Sequence, residues 1–367
     1  MEYKLSDLFD LQMGKTPDRH TPEYWADGTE QWISIADLSK CDKYIEETAE
    51  AISEQAVNDS GIKIIPASTV IMSFKLSIGK VAITPKSMYS NEAIMAFIDK
   101  GVIPIEPTYL YFLLKAKDWD EGTNKAVMGK TLNKATLSQV KVHIHDMAEQ
   151  RKIIRTLEKA ESIVTTSRQQ LTALDTLIKA RFVEMFGEPV SNPKEWPIHQ
   201  LMEYIEFLTS GSRGWAKYFT DDGEYFITIK NVKNCRITVD DVQHILPPDN
   251  AEAKRTKVQE GDLLISITAD LGRTGVVDRE IAEHGGYINQ HLTCIRFDKK
   301  QLNPLYVAYY MESDAGKMQF QAKNQSAVKA GLNFNSINSL RLMVPPLKLQ
   351  NDFVKFVAQI DKSKAVV

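Results

Sequence analysis

The chain has 367 residues, 43% of them hydrophobic and 25% charged, with a formal net charge of −3. These figures fit a globular protein of two or three domains. They argue against a membrane protein, because no apolar run approaches the ~20 residues of a span, and against a disulfide scaffold, because Cys41, Cys235 and Cys294 are odd in number and far apart. The opening MEYKLSDLFD lacks the basic-then-apolar order of a secretory leader. A cytoplasmic protein with reduced thiols is expected.

In chain order, the first motif is Met13-Gly14-Lys15-Thr16, repeated at Met128–Thr131. Gly-Lys-Thr ends a phosphate-binding loop, but that loop needs a glycine five residues before its second glycine. Phe9 and Asn124 stand there instead, so nucleotide hydrolysis is not supported. Asp18 to Asp59 then holds 11 acidic residues against Arg19, Lys40 and Lys43, whereas Ser60 to His145 holds 11 lysines against 6 acidic residues. This suggests a lobe with a basic face and an acidic back, although an ordinary mixed surface accounts equally well for the counts. WISIADL (32–38) and STVIMSF (68–74) read as strands. PTYLYFLLKA (107–116) opens on proline and keeps an apolar stripe, so it reads as a helix. His143 and His145 share a strand face, but two histidines without a third ligand make no metal site, and no metal is expected.

Residues 148–186 contain no Gly or Pro. Positions 150, 153, 157, 160, 164, 167, 171, 174, 178, 181 and 185 step at heptad spacing, imperfect at Gln150, Ser167 and Arg181. A helix of this length extends about 60 Å and needs a partner. Gly187, Pro189 and Pro193 stop it.

The second half of the chain repeats the first. WISI (32–35) matches FITI (226–229), and SIGKVAI (77–83) matches DLGRTGVV (270–277). YSNEAIMAF (89–97) matches YINQHLTCI (287–295), and PTYLYFLL matches PLYVAYYM (304–311). EQRKIIRTL (149–157) matches LQNDFVKFV (349–357). The order is kept at an offset of about 195–200 residues, so this is a domain duplication. The reading is an α+β protein of two similar mixed lobes joined by a long helix. The expected units are a lobe at 1–146, a spacer helix at 147–187, a second lobe at 188–345 and a last helix at 346–367. An antiparallel coiled coil is expected between the two helices, through Ile153, Leu157, Val164, Leu171, Leu174 and Ile178 on one and Phe353, Val357 and Ile360 on the other. It would hold the lobes at its ends about a pseudo-twofold axis.

Paired lobes on a rod suit a two-part DNA site. No catalytic constellation is visible. The two Pro-Pro stretches, LMVPPLK (342–348) and ILPPDN (245–250), lack the acidic or amide residue and the aromatic that a base methyltransferase loop carries. Candidate DNA contacts lie at matching Gly-flanked turns: Lys15, Thr16, Arg19, Lys75, Lys80 and Lys130 in the first lobe, and Ser212, Arg213, Lys217, Lys230, Arg273 and Lys329 in the second. Each is equally consistent with an ordinary solvated charge. Trp215 and Tyr218 read as a packed loop.

The order of these features resembles the specificity (S) subunit of type I restriction-modification systems. LSDLFDLQMGKTPDRHTPEYWADGTEQWISIADL is similar to the start of that family's target recognition domains. Pro345-Pro346-Leu347 with Gln350 is similar to the junction into its conserved helix, and RFVEMFGEP (181–189) to that helix's end. The first copy departs from the pattern, with His145-Asp146-Met147 in place of the prolines. The resemblance implies a non-catalytic subunit without a cofactor of its own. Its partners would be double-stranded DNA, methyltransferase (M) subunits carrying S-adenosylmethionine, and a restriction (R) subunit. The second helix is shorter than the family's usual length, which leads us to expect self-association through the uncovered part of the first. The alternatives are a DNA methyltransferase or NTPase, which would bind S-adenosylmethionine or ATP, and a scaffold whose lobes bind protein.

Overall fold

The computed structural model describes residues 1–75, 77–119, 132–325 and 331–367. They form two compact units, Met1–Thr166 and Ser167–Val367.

The first unit is built on an antiparallel sheet ordered Phe9–Met13, Ile94–Asp99, Thr69–Ser73, Val81–Thr84. Thr69–Ser73 and Val81–Thr84 are short, mostly apolar and buried throughout because both faces are covered there, whereas Phe9–Met13 alternates buried and exposed residues. Helix Pro107–Ala116 lies on one face and contributes Leu110, Phe112 and Leu114 to a core with Phe9, Val70, Met72 and Phe97. On the other face Ile33, Leu38, Ile71 and Ile94 form a second cluster. The expected strand WISIADL is only half a strand. It ends at Ile33, and a helix runs from Ile35 to Lys40. The cause is local: Ser34 and Asp37 form a reciprocal capping box that starts the helix.

The second unit repeats this plan with additions. Its main sheet runs Ile205–Ser210, Leu292–Phe297, Leu263–Ser266, Thr274–Val276, Cys235–Ile237, Val232–Lys233. The last two strands extend the edge, with Cys235–Ile237 parallel to Thr274–Val276. Helix Pro304–Glu312 takes the place of Pro107–Ala116, and helix Asp314–Gln325 comes directly after it. In each unit a two-stranded ladder ties the start of the lobe to its end: Glu2–Lys4 with Lys141–His143, and Ile198–Gln200 with Arg341–Met343. In each, a tyrosine hydroxyl donates to the second strand of that ladder, Tyr109 to His143 O (3.1 Å) and Tyr306 to Met343 O (3.0 Å).

The long helix is continuous from Met147 to Phe186. Asp146 caps it, accepting from Glu149 N at 2.9 Å, which explains how the first copy manages without prolines. Gly187 at φ +82° ends it, and Trp196 Nε1 and Lys194 Nζ donate to its last free carbonyls. In the second unit its last turns pack on helix Leu347–Lys364. Phe182 and Phe186 meet Phe353 (ring centroids 5.3 and 5.6 Å), and Asp175 pairs with Lys364. The two helices therefore run antiparallel there, with Ile178, Phe353, Val357 and Ile360 buried and Leu174 packed against the same core.

The rest of the expected seam behaves differently. Gln150 is a polar anchor inside the first unit and no part of a helix seam. Its Oε1 accepts from Glu106 N (3.0 Å), and its Nε2 donates to Pro104 O and His145 O (3.1 and 2.9 Å). Gln350 does the same in the second unit, with Asn303 N and Pro345 O (2.9 and 2.8 Å). Both are fully buried. Ile153 packs against the core of the first unit. Leu157, Val164 and Leu171 stay 36–48% exposed.

Candidate nucleic-acid interface

At one end of the first sheet the register aligns Met13, Met95, Met72 and Val81 in a row. Beyond that row lie three segments: Gly14–Thr16, the turn at Asn91–Ala93, and the hairpin 74–80. In the second unit the row is Ser210, Thr293, Ile265 and Thr274, and the segments beyond it are 211–213, 289–291 and 267–273. Sheet topology thus gathers turns distant in sequence onto one rim in each lobe.

The two rims share their bonds. Gly14 N donates to Ile94 O (3.2 Å), and Gly211 N to Leu292 O (3.1 Å). A Cβ at Gly14 would sit 2.2 Å from Ser90 O, and one at Gly211 2.0 Å from Asn289 O, so close backbone approach demands glycine at both. The hairpins also match. Gly79 N and Gly272 N donate to Ser73 O and Ser266 O, both at 3.0 Å. Lys80 N and Arg273 N donate to the hydroxyls of the same serines (3.1 and 2.9 Å). Gly79 and Gly272 have φ of +84° and +81°, and each lies beneath an aromatic ring, Trp119 or Phe320. The turn that enters strand Ile94–Asp99 or Leu292–Phe297 is equally duplicated: Asn91 Oδ1 accepts from Ala93 N, and Asn289 Oδ1 from His291 N.

Lys15, Thr16, Lys75 and Lys80 stand on the first rim. Lys15 Nζ donates to Ser60 O, Thr16 bonds Glu92, and Lys80 Nζ donates to Ser39 Oγ at 2.7 Å. Lys15 therefore points at the C-terminal end of helix Glu54–Ser60 and not into a ring of its own backbone amides. Arg19 is engaged internally, with its guanidinium 3.7 Å from the Trp25 ring and bonded to Glu50. On the second rim Arg213 is exposed and Arg273 pairs with Asp270. Ser212 is buried under Arg255, which also donates to Ser210 O at 2.9 Å, so the serine shapes the turn. Lys230 is exposed on the turn after strand Glu224–Ile227, whose last carbonyl accepts from Asn289 N (3.1 Å). Lys217 lies 4.9 Å from the Tyr218 ring, and Trp215 is buried against Phe226. Lys130, Lys329 and the second MGKT stretch fall outside the described residues.

Sequence reasoning missed several residues that the fold brings to the second rim. Lys233 and Asn234 arrive because strand Cys235–Ile237 runs parallel to Thr274–Val276, which puts its preceding turn beside Arg273. Lys317 and Gln321 arrive on helix Asp314–Gln325. Gln290 and His291 come directly after Asn289, and the match of YSNEAIMAF to YINQHLTCI is a signal sufficient to find them. His145 Nδ1 is 2.7 Å from the Tyr109 hydroxyl, and its ring lies 4.7 Å from that of His143. Among the described residues no three His, Cys, Asp or Glu side chains stand where they could hold a metal ion.

A family model described as the type I restriction modification DNA specificity domain matches residues 1–175 and again 193–366. The chain belongs to that family. The specificity-domain model thus recurs along the chain as the fold does. Among relatives, the specificity subunit of the type I restriction enzyme MjaIX from Methanocaldococcus jannaschii is 27% identical over 250 residues, 62% of this chain and 57% of the relative. That of EcoR124I/EcoR124II from Escherichia coli is 25% identical over 166 residues, 43% of this chain and 40% of the relative. The chain is therefore matched to about half the length of these relatives. Two solved structures share the fold over the whole chain. The S subunit from M. genitalium gives a TM-score of 0.59 at 12% identity, with 90% of that chain covered. A chain of a type I R-M system studied for its complex assembly gives 0.57 at 16%, with 91% covered. No helix among the described residues is long and apolar enough to cross a membrane.

Proposed function

We propose that this specificity-domain protein recognises a two-part DNA site, one part at each rim, as the non-catalytic recognition subunit of a cytoplasmic type I restriction-modification complex. The observation that carries the reading is the duplication of the rim in its hydrogen bonds, from Gly14 and Gly211 to the Ser73 and Ser266 hairpins. A turn that only connects strands has no need to repeat such detail, whereas a pair of reading heads does. Phosphate contacts fix register and base contacts carry sequence. In this reading Lys15, Thr16, Lys75 and Lys80 in the first lobe, and Arg213, Lys217, Lys230 and Arg273 in the second, supply DNA contacts. Arg19 and Ser212 shape their turns. The helices space the lobes and dock methyltransferase subunits, and a restriction subunit joins the assembly.

The test is a lobe exchange. Replacing residues 1–145 by the corresponding lobe of a relative, with the methyltransferase subunits present, changes one half of the methylated site and leaves the other half and the spacing intact. A change in both halves, or in neither, refutes the reading.

A further inference from the structure

Beside the second rim lies a cleft of about 610 Å³. One wall is the turn at Lys233-Asn234, the floor is the hairpin 270–273, and the other wall is helix Asp314–Gln325. The helix is fixed to the hairpin. Phe320 is 2% exposed and lies over Gly272, where a Cβ would come within 2.3 Å of its ring. The hairpin is fixed from below, since Glu312 accepts from Thr274 N at 2.8 Å. Lys317, Gln321 and Asn324 stand at i, i+4 and i+7, one stripe of the helix, and all three line the cleft. Asn234 holds its turn at φ +50°, a left-handed conformation uncommon outside glycine.

The polar groups divide by whether they are already used. Asp270 is taken by Arg273, Glu312 by Thr274, and Asn324 Oδ1 by Gly331 N at 3.2 Å. Within the described residues Lys233, Asn234, Lys317 and Gln321 have no side-chain hydrogen bond or ion pair. Each wall of the cleft therefore offers one carboxamide and one uncommitted cation, Asn234 with Lys233 and Gln321 with Lys317. A carboxamide is the side chain that pairs in two places with the N6 and N7 edge of adenine, and a lysine ammonium suits a phosphate.

We propose that this cleft is the base-reading site of the second lobe, with Gln321 and Asn234 on an adenine edge and Lys233 and Lys317 on the flanking phosphates. This rests on the two-part recognition proposed above. The experiment uses the full chain in complex with its methyltransferase subunits and selects bound duplexes from a randomised library. The wild type selects a split motif with an adenine in the half read by the second lobe. Gln321→Ala and Asn234→Ala each relax preference at that adenine by about tenfold and leave the other half unchanged. The doubly substituted Lys233→Ala/Lys317→Ala complex keeps the motif but loses about two from the slope of log affinity against log salt. All four side chains are at the surface of the cleft, and circular dichroism with a thermal midpoint confirms that each variant is folded. A split wild-type motif that persists unrelaxed in both carboxamide variants, or an unchanged salt slope in the lysine variant, overturns the cleft as the reading site. A wild-type complex that selects no split motif overturns the two-part reading itself, and the cleft proposal with it.

Discussion

Replacing Gln150 by alanine tests how the long helix is joined to the first lobe. The side chain is fully buried and makes three hydrogen bonds to backbone groups of two segments, 104–106 and His145. Truncation leaves Glu106 N, Pro104 O and His145 O without that partner. At about 1 kcal/mol for each unmade bond, the lower bound for a buried group, the loss is about 3 kcal/mol before any cavity term. Site-resolved hydrogen exchange reads this directly. Protection of amides opening with the first unit falls by about two orders of magnitude, since each ~1.4 kcal/mol is tenfold. The second unit keeps its own anchor, Gln350, and is unaffected. Gln350→Ala gives the mirror result, with a loss of about 2 kcal/mol for its two bonds. A loss below about 1 kcal/mol at both sites would refute the view that these glutamines clamp helix to lobe.

Gly211→Ala drives a methyl onto the carbonyls of Ile288 and Asn289, so it costs about 1–3 kcal/mol, measured by chemical denaturation, and weakens DNA binding through the second rim. Burial pushes the Tyr309 hydroxyl up to about 12, so folding favours its neutral form. The unfolded chain ionises it near pH 10. Its contribution is complete below pH 10 and is lost as pH rises towards 12, and Tyr309→Phe flattens a stability profile measured across that window. Cys235 and Cys294 are buried and their thiols are pushed up by desolvation, whereas Cys41 is only half-buried. Alkylation with mass-spectrometric detection modifies Cys41 first in the native protein, and equal rates at all three would contradict the packing.

Much of the fold is legible in the sequence because duplication is visible without any structure. The matched stretches locate the hairpin glycines and the paired asparagines, and the run without Gly or Pro sets the long helix nearly to the residue. What escapes is set by local polar chemistry and by topology. Ser34 turns an apparent strand into a helix start, and Gln150 reads as a flaw in a heptad seam because its partners lie on other segments. Lys233 and Lys317 carry no signal in sequence because only the parallel strand Cys235–Ile237 and an added helix bring them beside Arg273. Arg19 and Ser212 read in sequence equally as contacts or as ordinary surface groups, and the engagement of Arg19 with Glu50 and Trp25, and of Ser212 with Arg255, appears only in the fold. The stripe Leu157, Val164 and Leu171 keeps a heptad pattern in sequence yet stays exposed.

The central claim is that one chain specifies both halves of a split DNA site. Expressing it with type I methyltransferase subunits, in a host free of such systems, and sequencing the modified genome tests this most directly. The expected result is methylation confined to one bipartite motif, two short specified halves around a spacer of fixed length. A single continuous motif, or no methylation alongside a methyltransferase shown to be active with another specificity subunit, would contradict it.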